Sequence, residues 1–153
     1  MSLAPGGWIR VVGHGAPMIV SLHVACGAAV GAIAPSRKWA VVLGAVSHLA
    51  GDRMPHEDLP SRRFEIRSGI AALAALAVRW GPLHEVTVGA AAGSAPDLEH
   101  LLRLPRPGGR KLFPSHRLRG WHRSGGVSAR VQLLAAGILL GILLAPRGRS
   151  FES

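Results

Sequence analysis

The sequence predicts an all-α fold, a membrane-associated helix bundle with short connectors rich in Pro, Gly and Arg. Three observations support this prediction. No stretch alternates apolar and polar residues over the length of a β-strand. Apolar segments of about 12 to 19 residues recur between short connectors, which is the pattern of a helix bundle. Hydrophobic residues make up 48% of the chain and charged residues only 17%, whereas about 25% charged is usual in a soluble domain.

The length of 153 residues predicts a single helical domain, 1–153. Within it, 1–15 is expected to be a loose N-terminus, 104–115 a loop and 146–153 a basic tail. The chain has one cysteine, Cys26, which excludes both a disulfide framework and a thiolate metal site. In its Ala/Gly-rich setting Cys26 is expected to pack as a small hydrophobic residue.

Polar caps and Gly or Pro breaks divide the middle of the chain into short helices. Ser36 and Ser68 are placed to cap the first two of them, and the charged stretch 57–67 between these helices reads as a connector. Gly81-Pro82 ends the second helix. The predicted helices are Trp39 to about Gly51, Gly69–Trp80, Leu83–Ser94 and Asp97 to about Arg103.

Two longer segments are apolar enough to be candidates for crossing a bilayer. Residues 16–34 carry no charge, and residues 127–145 carry only Arg130. The first segment could instead be the core of a signal peptide that ends near Ala34. The second is rich in small residues that suit close packing against another helix. These residues are Ala135, Ala136, Gly137 and Gly141.

The chain is strongly basic, with a net charge of +10 from 18 Lys and Arg against 8 Asp and Glu. Its arginines cluster between apolar segments, and no basic-aromatic interleaving of the kind found in single-strand binders is present. This distribution favours a membrane lipid surface, in bacteria the inner membrane, or an anionic phosphate-containing substrate. Nucleic acid is the less favoured partner.

The stretch SHLAGDRMPHED, residues 47–58, concentrates the residues that could do chemistry. His48 and Asp52 are four residues apart, so they lie on one face of a helix. Pro55 ends that helix, because the residue before a proline is pushed out of the α region. The titratable residues that follow are His56, Glu57 and Asp58.

Further histidines and acids stand at other segment ends. Asp97 and His100 in PDLEH are three residues apart and share a helical face, from which Glu99 is turned away. The other candidates, in an apolar segment or beside arginines, are His23, His116 and His122. Each feature alone has a structural explanation, such as a surface His/Asp pair. Their co-occurrence in one small apolar chain predicts a metal site, for which oxygen and nitrogen ligands favour zinc, with manganese or iron as alternatives.

These motifs resemble those of the bacterial membrane-bound metal-dependent hydrolases, a family distantly similar to zinc-dependent phospholipase C. The stretches that carry the resemblance are HVACGAAVGA, SHLAGDRMPHED, GSAPDLEHL and HRLRGWHRSGG. The chain departs from the family pattern in the wider spacing of its last two histidines, in Trp121 where threonine is usual, and in the order of its motifs. The resemblance implies an all-helical metal-binding bundle whose ligands are His23, His48, Asp52, Asp97, His100, His116 and His122; His56 is a further candidate.

The sequence is compatible with three functions. The first is hydrolysis of a phosphate ester or phospholipid by metal-activated water. Glu57 or Asp58 would be the base, and phosphate oxygens would be bound by Arg117, Arg119 or Arg123. The second is a non-catalytic membrane bundle whose helices are held by a structural metal or by His/carboxylate pairs. The third is a nucleic-acid-binding accessory, whose affinity would fall steeply with salt.

Overall fold

The protein is all-α, as predicted. A computed structural model describes residues 19–57, 59–101, 111–118, 121 and 125–146, with residues 100 and 101 described by their backbone only. A 3₁₀ turn at Ala95–Asp97 follows the fourth helix. The helices are α1 (Val20–Ala32), α2 (Arg37–Arg53), α3 (Arg62–Trp80), α4 (Glu85–Ser94), α5 (Leu98–Leu101), α6 (Pro114–Arg117) and α7 (Ala129–Leu144).

Helix α1 lies at the centre and packs against α2, α3, α4 and α7. Leu76 of α3 and Val86 of α4 are fully buried beside Val24 of α1. On the opposite side of α1, Leu22 packs with Ala136 of α7. Because four neighbours cover α1, this helix has apolar residues on every side, as expected of a buried helix, and its polar residues Ser21 and His23 are buried as well.

The two predicted bilayer spans are shorter in the structure than in the sequence reading. In the described parts of 16–34 and 127–145, the helices are α1 with 13 residues and α7 with 16 residues. Within the described part of the chain, no helix combines the length and the apolar character needed to cross a membrane. Membrane association therefore stays a prediction.

The predicted connector 57–67 is wrong in its second half, because α3 begins at Arg62. Ser61 caps this helix, accepting a hydrogen bond from the N–H of Phe64 at 3.3 Å. The arginines of the first two turns are exposed, so a solvent-facing helical turn was mistaken for a connector. Ser68 instead bonds back to the carbonyl of Glu65 within the helix. The predicted cap of α2 is confirmed, with the N–H of Trp39 donating to Ser36 Oγ at 3.5 Å.

Close contact between helices is made by glycines, although not by those of α7. Gly27 of α1 and Gly89 of α4 face each other so closely that a Cβ on either would overlap the carbonyl of the other. Gly44 of α2 approaches the same Gly89 carbonyl. Among the described residues, no atom lies within 4 Å of such a Cβ at Gly137 or Gly141 of α7. The prediction of packing at these two was wrong, because they lie on the outer side of α7.

Candidate metal centre

Five of the predicted ligands converge at one place inside the bundle. Their ligand atoms form two overlapping groups, and within each group all atoms lie within 4.8 Å of one another. The first group contains His23, His48 and Asp52, and the second contains His48, Asp97 and His116. Four elements supply them: α1, α2, the 3₁₀ turn and α6. Buried His/Asp groups in this arrangement could hold a metal ion.

Asp52 lies in the middle of the three imidazoles. Its Oδ1 is 3.3 Å from His23 Nε2, and its Oδ2 is 3.0 Å from His48 Nε2 and 3.7 Å from His116 Nε2. All four side chains are 1% exposed or less. The contact between His48 and Asp52 follows from their four-residue spacing on α2. His23 and His116 lie near Asp52 because separate helices pack together.

The orientation of His48 is fixed by a backbone carbonyl. Its Nδ1 lies 2.8 Å from the oxygen of Gly93, and a carbonyl can only accept, so Nδ1 carries the proton. In the neutral ring, Nε2 then has a lone pair directed at the Asp52 carboxylate. His48 Nε2 and Asp52 Oδ2 are 3.0 Å apart, and their lone pairs repel each other unless a cation lies between them. That cation is either a proton or a metal ion. A ligating histidine characteristically donates its other N–H in this way.

The absence of a side chain at Gly93 also permits the close contact between α4 and α1. A Cβ at this position would stand 2.8 Å from the carbonyl oxygen of His23, which would push α1 away from the end of α4. Glycine therefore lets the backbones meet where the His48 ring needs its acceptor.

Glu99 holds His116 from the opposite side. This carboxylate is fully buried and accepts hydrogen bonds from the N–H groups of Leu112 at 2.8 Å and Phe113 at 3.1 Å. Its Oε2 lies 3.5 Å from His116 Nδ1, which leaves Nε2 facing Asp52. Sequence reasoning assigned no role to Glu99, because its partners lie 13 or more residues away in a loop. The one available signal was a second acid within PDLEH.

Burial and mutual contacts shift the pKa values of the central pair and their neighbour. Burial raises the pKa of Asp52, but His23 and His48 outweigh it and hold the pKa well below its usual range. Burial lowers the pKa of His48, but Asp52, Asp97 and the Gly93 carbonyl together raise it above the ordinary value. Burial dominates at His23 and lowers its pKa to about 4 despite Asp52.

Asp97 is the buried acid whose charge is least compensated. Burial raises its pKa to about 8; His48 opposes this rise, while Asp52 and Glu65 add to it. Neither carboxylate oxygen has a hydrogen-bond partner among the described residues. A cavity of about 80 Å³ borders this residue, which is room for water molecules. A carboxylate without a donor, inside a set of imidazole ligands, fits a bound cation.

The other predicted site residues that the structure describes are not part of the ligand cluster. His56 is buried, with Nδ1 donating to the carbonyl of Met54 at 2.6 Å, and it belongs to neither convergent group. Glu57 and Arg117 are exposed, unlike the ligand cluster. The candidates outside the described residues are Asp58, Arg119, His122, Arg123 and the side chain of His100.

Gln132 of α7 supports the site and was missed from sequence. Its side-chain N–H groups donate to the carbonyls of Glu57 at 2.8 Å and Val127 at 3.1 Å. Its Oε1 accepts from the N–H of Ile19 at the start of α1, at 3.5 Å. One buried amide thus ties α7 to the segment after α2 and to the helix that carries His23.

Comparisons of the chain with protein-family models, with curated proteins and with solved structures give no match. The resemblance to membrane-bound hydrolases therefore depends on the short sequence motifs alone and stays a prediction.

Proposed function

We propose that this protein is a divalent-metal-dependent hydrolase of phosphate esters, with membrane phospholipid as the favoured substrate source. One observation carries the proposal: five buried nitrogen and oxygen ligands from four elements converge without any sulfur. Two of the histidines also have a fixed partner on the ring nitrogen that faces away from the cluster. Such outer partners are typical of metal centres.

The donor set favours zinc, which binds neutral imidazole and carboxylate in hydrolytic sites. A divalent ion held there would act as a Lewis acid and lower the pKa of a bound water to about 7. The protein's part is to hold three imidazole rings and the Asp52 carboxylate together in a buried site. Asp97 adds a second negative charge once it loses its proton.

Exposed arginines would bind the phosphate group of the substrate. Arg117 follows His116 directly in α6 and is exposed, so it can reach a substrate oxygen at the surface. Arginine forks match phosphate oxygens in charge and geometry. Glu57, also exposed, stands as the candidate base, with Asp58 as the alternative base from the sequence. Arg119 is the second sequence-derived candidate for binding phosphate oxygens.

A structural metal site is the second candidate function. The observation that favours it is burial, since the ligand side chains around Asp52 are 1% exposed or less. Structural zinc sites are closed, whereas catalytic sites keep one open position. In that case the metal stabilises the bundle and no hydrolysis occurs.

The test pairs two histidine variants. Metal content is measured by elemental analysis, and hydrolysis is assayed with bis(p-nitrophenyl) phosphate and with phospholipid vesicles. His48→Asn should lose both metal and activity. The control is His84→Asn, since His84 caps α4 and asparagine also caps well; it should keep both. A metal-loaded protein without hydrolysis of either substrate would favour the structural function, and a protein that binds no metal would refute both.

A further inference from the structure

A second cavity, of about 390 Å³, lies between α2 and α7 against α1. Its volume is within the roughly 300–1,000 Å³ typical of small-molecule sites. His23 is part of its wall, and the same ring contacts Asp52 in the ligand cluster. The cavity and the candidate metal centre therefore share one side chain.

The walls of this cavity offer almost nothing to a polar ligand. Gln132 lines it, but its amide is used by backbone groups. His56 lines it with Nδ1 already bonded to Met54. The remaining wall is mainly aliphatic and includes Leu22, Cys26, Ala50, Val131 and Leu139. A hydrocarbon chain is the ligand chemistry that such walls favour.

The two helices that line the cavity also carry exposed apolar side chains. On α7, Leu134, Ile138 and Ile142 are each more than half exposed, and on α2 Val46 is 52% exposed. Large exposed apolar side chains on the two helices that line a cavity are consistent with contact to a lipid layer.

Cations flank the cavity at the ends of the same two helices. Arg53 is next to Met54 and Arg130 is next to Val131, and both arginines are exposed. Exposed arginines beside an apolar surface attract anionic lipid head groups. The combination of aliphatic cavity and adjacent positive charge matches an anionic amphiphile rather than a neutral hydrocarbon.

We infer that this cavity binds one fatty-acyl chain of an anionic membrane phospholipid and so holds the lipid beside the ligand cluster. The inference deepens the proposed function by assigning the chain-binding part of the substrate site. It does not require turnover, because chain binding is measured with cis-parinaric acid, which contains no phosphate ester to hydrolyse.

The first measurement is binding of the fluorescent fatty acid cis-parinaric acid to the full chain, with competition by lysophosphatidates of increasing chain length. Each added methylene should strengthen competition about fourfold until the cavity is full, the factor expected for burying one CH₂. Palmitoyl lysophosphatidate should compete at least tenfold better than free palmitate, because its phosphate carries more charge toward the arginines. Absence of chain-length dependence, or equal competition by palmitate, would overturn the inference.

Two alanines of α2 offer a matched pair of variants. Both are exposed, but Ala50 lines the cavity and Ala45 does not. Ala50→Trp should weaken parinarate binding at least tenfold, and Ala45→Trp should leave it unchanged. Equal binding by the two variants would place the chain elsewhere.

The alkylation rate of Cys26 tests the inference on the unmodified sequence, without a variant. Cys26 is the only cysteine of the chain and lines the cavity, so bound palmitoyl lysophosphatidate should slow its alkylation by N-ethylmaleimide at least tenfold. An unchanged alkylation rate at saturating lipid would contradict the inference.

Chain binding without hydrolysis would refute only the proposed function, and hydrolysis of bis(p-nitrophenyl) phosphate without chain binding would refute only this inference.

Discussion

At the scale of single residues, the site depends on groups that hold its ligands as much as on the ligands themselves. His48 is oriented by the Gly93 carbonyl, and His116 lies against Glu99. The spacing of His48 and Asp52 was sufficient to predict that they share a helical face. The role of Glu99 was not predictable, because it depends on N–H groups of a loop that follows it at a distance in the chain.

Glu99→Gln tests the orienting role directly. The amide keeps the size of the side chain but loses the charge that faces His116 Nδ1. We expect zinc affinity to fall about 10- to 100-fold, as for other outer-partner changes, with the fold retained. Zinc competition with a chromophoric chelator measures this. Glu85→Gln, in the first turn of α4, is the control, and equal affinity for the two variants would remove Glu99 from the site.

The pKa of Asp97 predicts how metal binding depends on pH. With a pKa of about 8, the metal-free protein holds a proton on this acid at neutral pH, and a cation must displace it. Zinc affinity should therefore rise about fivefold from pH 7 to pH 8 and flatten above pH 8. Asp97→Asn should bind zinc more weakly and lose this slope. An unchanged slope in the variant would assign the proton to another group.

At the scale of the elements, glycines set the distances between helices. The abundance of small residues indicated close packing, but not which helices would meet. Gly27, Gly89 and Gly93 bring α1 and α4 into backbone contact, whereas the glycines of α7, equally prominent in the sequence, face outward. Sequence patterns show which segments can pack closely, and the actual partners depend on long-range arrangement.

Gly89→Ala should destabilise the protein. Its Cβ would overlap the carbonyl of Gly27, and overpacking of this kind costs about 1–3 kcal/mol or more. Gly137→Ala is the matched control, because nothing lies within 4 Å of its Cβ and helix propensity favours alanine by about 0.5–1 kcal/mol. Urea unfolding of both variants measures the difference. Equal stability would mean that α1 and α4 are not packed through glycine.

At the scale of the whole molecule, the cluster joins α1, α2, α6 and the turn after α4 around one point. The all-α class was predictable from segment lengths and the absence of alternation. The start of α3 was not, since an arginine-rich helical turn and a charged connector look alike in sequence. The convergence of four elements is a property of the packed bundle, which the motifs could only suggest.

Metal removal should therefore loosen the entire bundle. A ligand that binds only the folded state stabilises it by about 4 kcal/mol when free metal is 1,000 times Kd. Chelation by EDTA should lower Tm, and added zinc should restore it. The His48→Asn variant should show no response to either. A wild-type Tm that is insensitive to chelator would contradict a metal that links these elements.

The most direct test of the central claim is X-ray absorption spectroscopy of the zinc-loaded protein. We expect a first shell of nitrogen and oxygen only, at about 2.0–2.2 Å, with the outer-shell scattering of at least two imidazole rings. His84→Asn should show the same shell, whereas His48→Asn, which is expected to lose its metal, should show no zinc bound at this site. A shell that contains sulfur, or one without imidazole, would show that the buried histidines and aspartates do not bind the ion.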